Sequence, residues 1–554
     1  MLLLIVFASG MTTMAVEMAA SRLLGPYFGD SILVWANLIG LILIYLTVGA
    51  YLGGRWADRR PRVETLYTLT TVASFLVGLV PFVATPILRL SQEAFSRLSA
   101  GLSRFDAIQI GGSFVGVLLL FAPPVTLLGC VSPFAIRLAT RRVHSAGSSA
   151  GRIYALSTLG SILGTFAPPL VTIPAIGTAR TFLAFAFALL AVSLLGLAVQ
   201  ARAGGGGSRS GTRWRALLSG LLLALLIALS VLYPQRVVKA DARMIYEQES
   251  RYNYIQVLEV EGVRYLMLNE GQGVHSVYDP HSLATFGTWD ALTIAPFFNN
   301  PPFTPEQVRR ICIIGLAGGT VARQATAVYG PVPIDGVEID PAIVEVGRRF
   351  FGLTQPPVAQ RGSPDPRPAQ PSGLAQPNLN IFIGDGRFFL EHRAGQYDLI
   401  VIDAYRLPYI PFQLTTVEFF ALVKAHLTPR GVVSVNVGRT ESDYRLVEAI
   451  ASTLKIHFAT VHAIDLADTF NTVLVATQEP TSSANPEANL RAISRSRLQR
   501  DARAAEGPFL RDAIAHSVSN LHSLSGNGIA FTDDRAPVES LTNAIVLRYI
   551  LTGE

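Results

Sequence analysis

Acidic and glycine residues recur at the ends of four short apolar runs in the second half of the chain. The first run ends in a glycine-rich loop, residues 315–319, and the second ends in Glu338. Glycine lets a loop backbone approach a nucleoside closely, and an acid about 20 residues later is placed to accept hydrogen bonds from ribose hydroxyls. The third run ends in Asp385, between two glycines, where a carboxylate can accept from an exocyclic amine, and the fourth ends in Asp403. Together the four loops predict a nucleoside site.

The composition of the glycine-rich loop bears on which nucleoside is expected. The loop lacks the Lys-Ser/Thr ending of loops that clamp the phosphates of ATP, so an adenosyl sulfonium is favoured over a nucleoside triphosphate. An NAD dehydrogenase would share the glycines, but the loops at Asp385 and Asp403 fit that class poorly. Each loop taken alone could equally be a turn or a helix cap, because Asp and Gly favour those positions. Four such loops in this order on one sheet favour a binding crevice.

Short β-branched runs alternate with helical segments between residues 310 and 437, which predicts a Rossmann-like parallel sheet covered on both faces. The carboxyl ends of its strands would bring the four loops to one edge. Before this sheet, the alternating residues 252–258, a Glu261-Gly262 turn and the run 265–268 predict a β-hairpin. Residues 355–377, rich in Pro, Gln and Gly, are predicted to form a mobile surface insertion. The predicted strands are 310–314, 334–339, 379–383, 399–402 and 432–437, with helices starting at Thr320 and Pro341.

The first 233 residues consist of nearly continuous apolar blocks. Half of the 554 residues are hydrophobic and only 15% are charged, which lies outside the range of ordinary soluble domains. Seven blocks have about the 20 residues needed to cross about 30 Å of hydrocarbon, so a bundle of about seven membrane-spanning helices is expected before the α/β part. These blocks fall near 1–24, 31–53, 65–89, 110–135, 153–174, 179–200 and 214–233. The expected domains are a transmembrane helical domain (1–233), a β-hairpin subdomain on the substrate side (234–290), a nucleoside-binding domain (291–480) and a C-terminal helical extension (481–554).

Cysteine and charge exclude several classes of protein. The only cysteines, Cys130 and Cys312, lie in apolar runs and are expected in the core, so neither a disulfide framework nor a thiolate metal site is predicted. The histidines lack metal-ligand spacing, and no metal is assigned. The formal charge of +6 comes largely from loop arginines, without interleaved aromatic residues, so nucleic-acid binding is not expected.

The arginine-rich loops set the expected membrane topology. They fall at 55–62, 137–152 and 202–215, on one side if every block crosses, and that side should be cytoplasmic. A seventh crossing would carry the soluble half to the opposite face, where adenosyl cofactors are not normally supplied. Seven crossings therefore conflict with the cytoplasmic supply of the cofactor. That supply favours a cytoplasmic soluble domain, and the membrane is expected to be a plasma membrane of the bacterial inner type. Glu17 lies within the first block, where a charge is costly, so a functional or helix-pairing role is open for it.

The order of the soluble motifs resembles one enzyme family. The segments 250–255, 315–319, 337–341, 384–386 and 397–403 are similar to motifs of the polyamine aminopropyltransferases, the family of spermidine synthase. The resemblance covers about residues 250–440. With the apolar blocks in front and Thr532–Glu539 behind, the whole chain resembles membrane-fused spermidine synthase-like proteins.

This resemblance implies a transferase of the S-adenosylmethionine-dependent type that moves an aminopropyl group to an amine such as putrescine. The co-substrate would be decarboxylated S-adenosylmethionine or S-adenosylmethionine itself. Glu338 would hold the ribose and Asp385 the adenine amine, while Asp403 would deprotonate or orient the attacking amine, because an amine must be neutral to attack. The partners implied are a small-molecule amine and the lipid bilayer, and a homodimer is compatible. The implied site residues are Asp403 and Tyr405 for catalysis; Gly315, Ala317, Gly318, Gly319, Glu338, Ile339, Asp385, Gly386 and Asp403 for the nucleoside; and Asn253, Tyr254, Gln272, Asp290 and Arg406 for the substrate.

Some residues depart from the family pattern. Soluble aminopropyltransferases typically have acids where this chain has Ala317 and Arg406, and a Gln where it has Asn253. The first two changes remove negative charge that would hold ammonium groups. A positive Arg406 argues against a polycationic acceptor and would favour one bearing a carboxylate or phosphate.

Two other functions are compatible with the same residues. One is methyl transfer from S-adenosylmethionine, in which the glycine loop and Glu338 serve identically. The other is a transporter or sensor whose soluble domain binds a nucleoside or polyamine and gates the helical bundle, with Asp403 as a binding carboxylate. Glu17 and the arginine-rich loops would matter most in the transporter.

Overall fold

The structure, a computed structural model, divides into two compact units. One unit comprises Met1–Ala242 and Glu249–Tyr254, and the other comprises Arg243–Gln248 and Ile255–Glu554. The predicted insertion at 355–377 lies outside the described residues. The structure describes residues 1–28, 32–98, 111–140, 146–202, 209–232, 243–269, 273–353, 378–405, 409–466, 469–493 and 506–552.

Long apolar helices make up the first unit. Its helices are α1 (Leu2–Phe28), α2 (Ile32–Arg59), α3 (Val63–Leu98), α4 (Ser113–Gly129), α5 (Val131–Ala139), α6 (Ala146–Ala167), α7 (Ile173–Ile176), α8 (Thr178–Arg202) and α9 (Arg209–Leu232). Within the described residues, six helical stretches are long and apolar enough to cross a membrane. These stretches are Leu2–Phe28, Val34–Arg59, Val63–Phe95, Ser113–Ala139, Gly147–Ile176 and Thr178–Arg202.

The seventh predicted crossing is not confirmed. The last helix, α9, begins with the polar residues 209–215, and its apolar part is only Leu217–Leu232. A helix needs about 20 apolar residues to cross the hydrocarbon layer, and this part is shorter. The apolar periodicity of the sequence located the helix, but the arginines at its start shorten the stretch that lipid can solvate.

Two glycines of α6 allow it to lie directly against α1. A Cβ at Gly160 would collide with the carbonyl oxygen of Phe7, and one at Gly164 would collide with that of Met11. Small residues permit such close approach where lipid supplies no hydrophobic drive between helices. The same explanation does not extend to Gly40 and Gly54, around which a Cβ would meet nothing within 4 Å.

Residues 249–254 are fixed to other parts of the first unit by polar contacts. The Arg22 guanidinium donates to the carbonyl oxygens of Arg251 and Tyr252. The Glu249 carboxylate accepts from the backbone N–H and the hydroxyl of Thr178, both at 2.5 Å, at the first residue of α8. An acid at a helix N-terminus is stabilised by the free N–H groups there. Burial nevertheless raises the pKa of Glu249.

The second unit begins with a four-stranded sheet in the order β1-β2-β3-β4. Its strands are β1 (Met244–Glu249), β2 (Tyr254–Val260), β3 (Val263–Leu268) and β4 (Val274–Tyr278). Strands β2 and β3 pair antiparallel through a tight turn in which Glu261 has φ 52° and Gly262 has φ 83°. Two consecutive positive φ angles match the turn that fits the twist of a hairpin.

The larger sheet has eight strands in the order β12-β10-β11-β9-β8-β5-β6-β7. The five strands β9, β8, β5, β6 and β7 run parallel, and the predicted parallel sheet is confirmed. The strands are β5 (Ile311–Ile314), β6 (Ile334–Glu338), β7 (Leu379–Ile383), β8 (Tyr397–Ile402), β9 (Leu427–Gly438), β10 (Thr460–Asp465), β11 (Asn471–Thr477) and β12 (Leu521–His522). The helices of this unit are α10 (Thr288–Thr293), α11 (Thr320–Tyr329), α12 (Pro341–Phe350), α13 (Gly386–Glu391), α14 (Val417–Ala425), α15 (Arg445–Lys455), α16 (Asn485–Ala492), α17 (Glu506–Ser519) and α18 (Val538–Thr552).

Both faces of this sheet are buried. Along β5, Ile311 and Ile313 pack into one apolar cluster, whereas Cys312 and Ile314 pack into another. This alternation follows from the two-residue period of a strand, and burying each isoleucine side chain contributes roughly 1.5–3 kcal/mol. Cys312 and, in the first unit, Cys130 are buried free thiols, as predicted from their apolar surroundings.

Candidate active site

The loop after β5 has a backbone that requires glycine. Gly315 has φ 88° and Gly319 has φ 86°, in the left-handed region. A Cβ at Gly315 would also collide with the carbonyl oxygen of Asp403. Ala317 adopts φ 48°, which for a residue with a side chain costs about 1–2 kcal/mol. The loop therefore holds a strained, close-packed conformation beside the end of β8.

Glu338 ends β6 and turns its carboxylate towards that loop. The Ala317 N–H donates to Glu338 Oε2 at 2.9 Å, and the Asp340 N–H donates to Oε1 at 3.1 Å. The side chain is only 6% exposed. Burial raises the pKa of Glu338 to about 7 despite these hydrogen bonds. Each carboxylate oxygen has capacity for another donor, as a ribose hydroxyl would require.

Asp385 follows β7 and begins α13. Its Oδ1 accepts from the Phe388 N–H at 3.0 Å, which is a helix N-cap, and its Oδ2 accepts from Gln413 Nε2 at 3.3 Å. Asp385 thus caps a helix and still faces the strand edge with spare acceptor capacity. Gly386 must be a glycine because a Cβ there would collide with the side chain of Ile314.

Asp403 follows β8 and is held by neutral donors. Its N–H donates to the Ile314 carbonyl at 2.9 Å, and its Oδ1 accepts from Asn436 Nδ2 at 2.8 Å. The Trp289 side chain also hydrogen-bonds the carboxyl. The hydrogen bonds from Asn436 and Trp289 lower the pKa of Asp403, but the effect of burial is larger and raises this pKa to about 7. A carboxyl with such a pKa can take up and release a proton near neutral pH.

A network of side chains supports Asp403. Asn436 Oδ1 accepts from Asn471 Nδ2 at 2.8 Å, which fixes the orientation of the Asn436 amide. The Tyr405 hydroxyl donates to the Asn436 backbone carbonyl at 3.1 Å. Burial raises the pKa of Tyr405 further above its ordinary value, so its hydroxyl keeps its proton at neutral pH. Tyr405 thus contacts the strand that carries Asn436, and its catalytic role stays a prediction.

Backbone hydrogen bonds join the four predicted loops into one edge. The Gly315 N–H donates to the Val337 carbonyl at 2.9 Å, and the Gly384 N–H donates to the Glu338 carbonyl at 2.9 Å. The contact of Gly315 with Asp403 links the other side of the loop to β8. The glycine loop, Glu338, Asp385 and Asp403 therefore lie along the carboxyl ends of adjacent parallel strands, as predicted.

The edge also has an exposed apolar surface. Ile339 is 44% exposed and Ile383 is 52% exposed, although both are large apolar side chains next to the two acids. A Cβ at Gly384 would meet nothing within 4 Å, so space is open beside Asp385. Apolar walls with a few placed polar groups are typical of small-molecule sites. The edge therefore presents two exposed apolar side chains and open space beside its acids.

The predicted substrate residues Asn253, Tyr254, Gln272, Asp290 and Arg406 are described only in part. Asn253 and Tyr254 belong to the first unit, where the backbone and hydroxyl of Ser250 hydrogen-bond the backbone of Asn253. Gln272 and Arg406 lie outside the described residues. Asp290 is buried, and its carboxylate already accepts from Thr285, Phe286 and Gln324. It anchors the loop before α10, and binding of substrate by Asp290 stays a prediction.

Two residues that contact Asp403 were missed by sequence reasoning. Asn436 is a lone amide in the valine-rich strand β9, and only 7% of it is exposed. A polar residue in a buried strand needs a partner, so this position carried a signal. Trp289 carried no such signal, because the residues around it have the pattern of an ordinary apolar helix.

The second unit is thus a Rossmann-like α/β domain whose candidate site residues lie at the carboxyl edge of its parallel strands. The profile of the spermine/spermidine synthase domain matches residues 296–469. A probable polyamine aminopropyl transferase of Bifidobacterium longum is 28% identical over 308 residues, which cover 54% of this chain and 63% of that protein. A polyamine aminopropyltransferase of Vibrio vulnificus is 31% identical over 236 residues, covering 41% of this chain and 68% of that protein.

The chain belongs to the spermine/spermidine synthase family. It spans less than two thirds of the first of these relatives. A solved spermidine synthase in complex with the transition-state analogue AdoDATO aligns with 15% identity and a TM-score of 0.36, over 50% of this chain and 84% of that one.

Proposed function

We propose that this protein is a membrane-bound aminopropyltransferase that moves an aminopropyl group from decarboxylated S-adenosylmethionine to an amine such as putrescine. The observation that carries the proposal is the Asp403 carboxyl. It stands at the strand edge beside the glycine loop, has a pKa near 7, and is held by the neutral donors Asn436 and Trp289. Membership of the spermine/spermidine synthase family supports the same reaction.

The reaction needs a neutral amine, and Asp403 would accept the proton that the ammonium loses. The amine nitrogen then attacks the carbon beside the sulfonium. A carbon–nitrogen bond forms as the carbon–sulfur bond breaks, and the electron pair of the latter stays on sulfur in methylthioadenosine. Before it takes up that proton, the Asp403 carboxylate would also attract the incoming ammonium group.

Donor binding would be shared by the residues of the other strands. Glu338 would accept from the ribose hydroxyls, and Asp385 from the adenine amine. Ile339 would pack against the ring. With Ala317, the glycine-rich loop lacks the negative charge common in the soluble family. We therefore expect this position to attract the aminopropyl ammonium less strongly.

The product distinguishes this reaction from the alternatives. Purified full-length protein in lipid nanodiscs is incubated with putrescine and either donor, and the products are identified by mass. Methylthioadenosine together with spermidine supports aminopropyl transfer, whereas S-adenosylhomocysteine would reveal methyl transfer. Donor binding without turnover would point to a sensor or transporter. The Asp403→Asn variant should lose turnover by roughly 10²–10⁴-fold while still binding the donor; unchanged turnover would remove Asp403 from this role.

The membrane arrangement is part of the proposal. Six crossings, with α9 lying along the surface, would place the arginine-rich loops and residues 243–554 on the same side. The loops carry the positive charge typical of the cytoplasmic side. This arrangement resolves the conflict between seven crossings and a cytoplasmic supply of the adenosyl donor.

A further inference from the structure

A cavity of about 770 Å³ opens between the first turns of α15, residues 522–531 and α18. Small-molecule sites typically occupy about 300–1,000 Å³. None of the residues that line the cavity belongs to the candidate active site. The aminopropyl reaction therefore gives it no role.

One wall of the cavity is a loop that is clamped onto α15. The Glu448 carboxylate accepts from the N–H groups of Ser525 at 2.5 Å and Gly526 at 3.1 Å. Gly528 lies so close to the helix that a Cβ would collide with the Glu448 carbonyl oxygen. The Phe531 N–H donates to the Thr453 hydroxyl at 3.0 Å. These contacts hold the wall in place, so the cavity is formed without a ligand.

The charged residues of the lining leave one cation available. Asp443 is engaged by Arg445, whose Nη2 lies 2.7 Å from Oδ2, and it also interacts with Arg548. The oxygens of Glu448 are used by the loop N–H groups. The Arg535 guanidinium is exposed and has no hydrogen bond or ion pair within the part of the chain that the structure describes. Three arginines face two carboxylates, so the cavity carries a net positive charge.

The rest of the lining is apolar or aromatic. Ile529 is 69% exposed, although it is a large apolar side chain. Leu541 and Ala544 of α18 line the same cavity. The rings of Tyr444 and His522 stack with centroids 4.1 Å apart and an interplanar angle of 4°, which gives a flat, fixed side. A ligand would therefore have an apolar body.

We infer that this cavity binds an organic monocarboxylate with an apolar body. Its carboxylate would pair with Arg535, and its hydrocarbon part would lie against Ile529 and Leu541. A guanidinium binds a carboxylate through two parallel hydrogen bonds. A multiply charged phosphate fits less well because Asp443 and Glu448 share the cavity. The inference is independent of the proposed reaction.

Binding is measured on the full chain in lipid nanodiscs by titration calorimetry with three probes: 3-phenylpropionate, its neutral alcohol analogue and inorganic phosphate. We expect 3-phenylpropionate to bind at least roughly tenfold more tightly than either of the others, since one charge-assisted contact is worth about 1.5–3 kcal/mol, or tenfold and more in affinity. The Arg535→Gln variant should weaken this binding by roughly tenfold or more, and Ile529→Ser should weaken it severalfold. Thermal unfolding of each variant verifies that it is folded.

The matched control is Arg491→Gln. Arg491 is also an exposed arginine, but it pairs with Glu487 on α16 outside the cavity. This variant should bind 3-phenylpropionate as the unaltered protein does. Equal binding of the alcohol or of phosphate, unchanged binding by folded Arg535→Gln, or no binding of 3-phenylpropionate at millimolar concentration would each overturn the assignment.

Discussion

The Asn436 side-chain amide donates a hydrogen bond to the Asp403 carboxylate across 2.8 Å, and it joins two neighbouring parallel strands, β9 and β8. Asn471, on the antiparallel neighbour β11, fixes the amide from the other side. Within the described residues, the side chains that donate to this carboxylate are the neutral Asn436 and Trp289. Burial therefore raises the pKa of Asp403, and each of these two hydrogen bonds lowers it.

Replacing Asn436 by Ala should shift the pH dependence of turnover. Its hydrogen bond favours the ionised carboxylate, so removing it raises the pKa of Asp403 above about 7. As a general base Asp403 must be ionised, and the rise of kcat/KM with pH should therefore move to higher pH, with roughly tenfold lower activity at pH 7. The measurement is a pH profile of kcat/KM with Asn300→Ala, a partly exposed amide of the same unit, as control. An unshifted profile in a folded Asn436→Ala variant would contradict the proposed coupling.

Replacing Glu338 by Gln should weaken donor binding and change the pH dependence of stability. Loss of a charged acceptor for ribose hydroxyls should raise the donor KM roughly tenfold or more. The pKa of Glu338 is raised from its ordinary value of 4.5 to about 7 in the folded protein, so the folded state binds more protons than the unfolded state between these values. Stability contributed by this group is present at low pH and falls as pH rises from about 4.5 to 7.

The melting temperature of the unaltered protein should therefore fall more steeply over that pH range than the melting temperature of the Glu338→Gln variant. Thermal unfolding at several pH values measures this difference without reference to activity. Asp403 contributes with the same sign, because burial also raises its pKa. Parallel curves for the two proteins would mean that Glu338 is ionised as readily in the folded as in the unfolded chain.

Replacing Gly315 by Ala should be far more damaging than the same change at Gly330. Both glycines have positive φ angles, 88° and 80°, so each substitution costs about 1–3 kcal/mol in backbone strain. Only at Gly315 would the new Cβ also collide with backbone, the Asp403 carbonyl, whereas nothing lies within 4 Å at Gly330. We expect a lower melting temperature and a loss of turnover for Gly315→Ala, against a smaller loss of stability with turnover retained for Gly330→Ala. Comparable effects would show that the β5 loop relaxes freely.

The proposed topology can be tested by labelling single cysteines from either side of the membrane. The two native cysteines are buried, and Cys130→Ser and Cys312→Ser give a background without thiols. Cysteines placed at exposed Arg60, in the loop after α2, and at exposed Glu261, in the β2–β3 turn, should react only with a reagent that reaches the cytoplasm. Labelling of Glu261→Cys from outside intact cells would show that α9 crosses the membrane.

Much of the second unit could be predicted from sequence because its strands are short and apolar with clear ends. The predicted strand 379–383 coincides with β7, and the predicted strand 310–314 begins one residue before β5. By contrast, β9 begins at Leu427, five residues before its predicted start at Val432. The prediction missed this start because residues 427–431 include Pro and Gly and lack β-branched periodicity. Pairing with the neighbouring strands extends this strand beyond its local preference.

The candidate site likewise has residues that could be predicted from the sequence and residues that could not. Gly315, Glu338, Asp385 and Asp403 could be predicted because each ends a strand, and parallel strands bring their carboxyl ends to one edge. Asn436 and Asn471 could not be assigned a role, because their contact with Asp403 depends on which strands are neighbours in the order β11-β9-β8.

The sequence by itself determined that the chain has an apolar helical part followed by an α/β part, and which residues lie at strand ends. Local periodicity and hydropathy encode these properties, since they depend on neighbours along the chain. Tertiary structure decided that Asp403 is desolvated and held by Asn436, that Asp290 is already used by its own loop, and that the clamped loop at Glu448 encloses a cavity. Each of these depends on atoms far apart in sequence, whose proximity is set only when the sheet and its covering helices pack together.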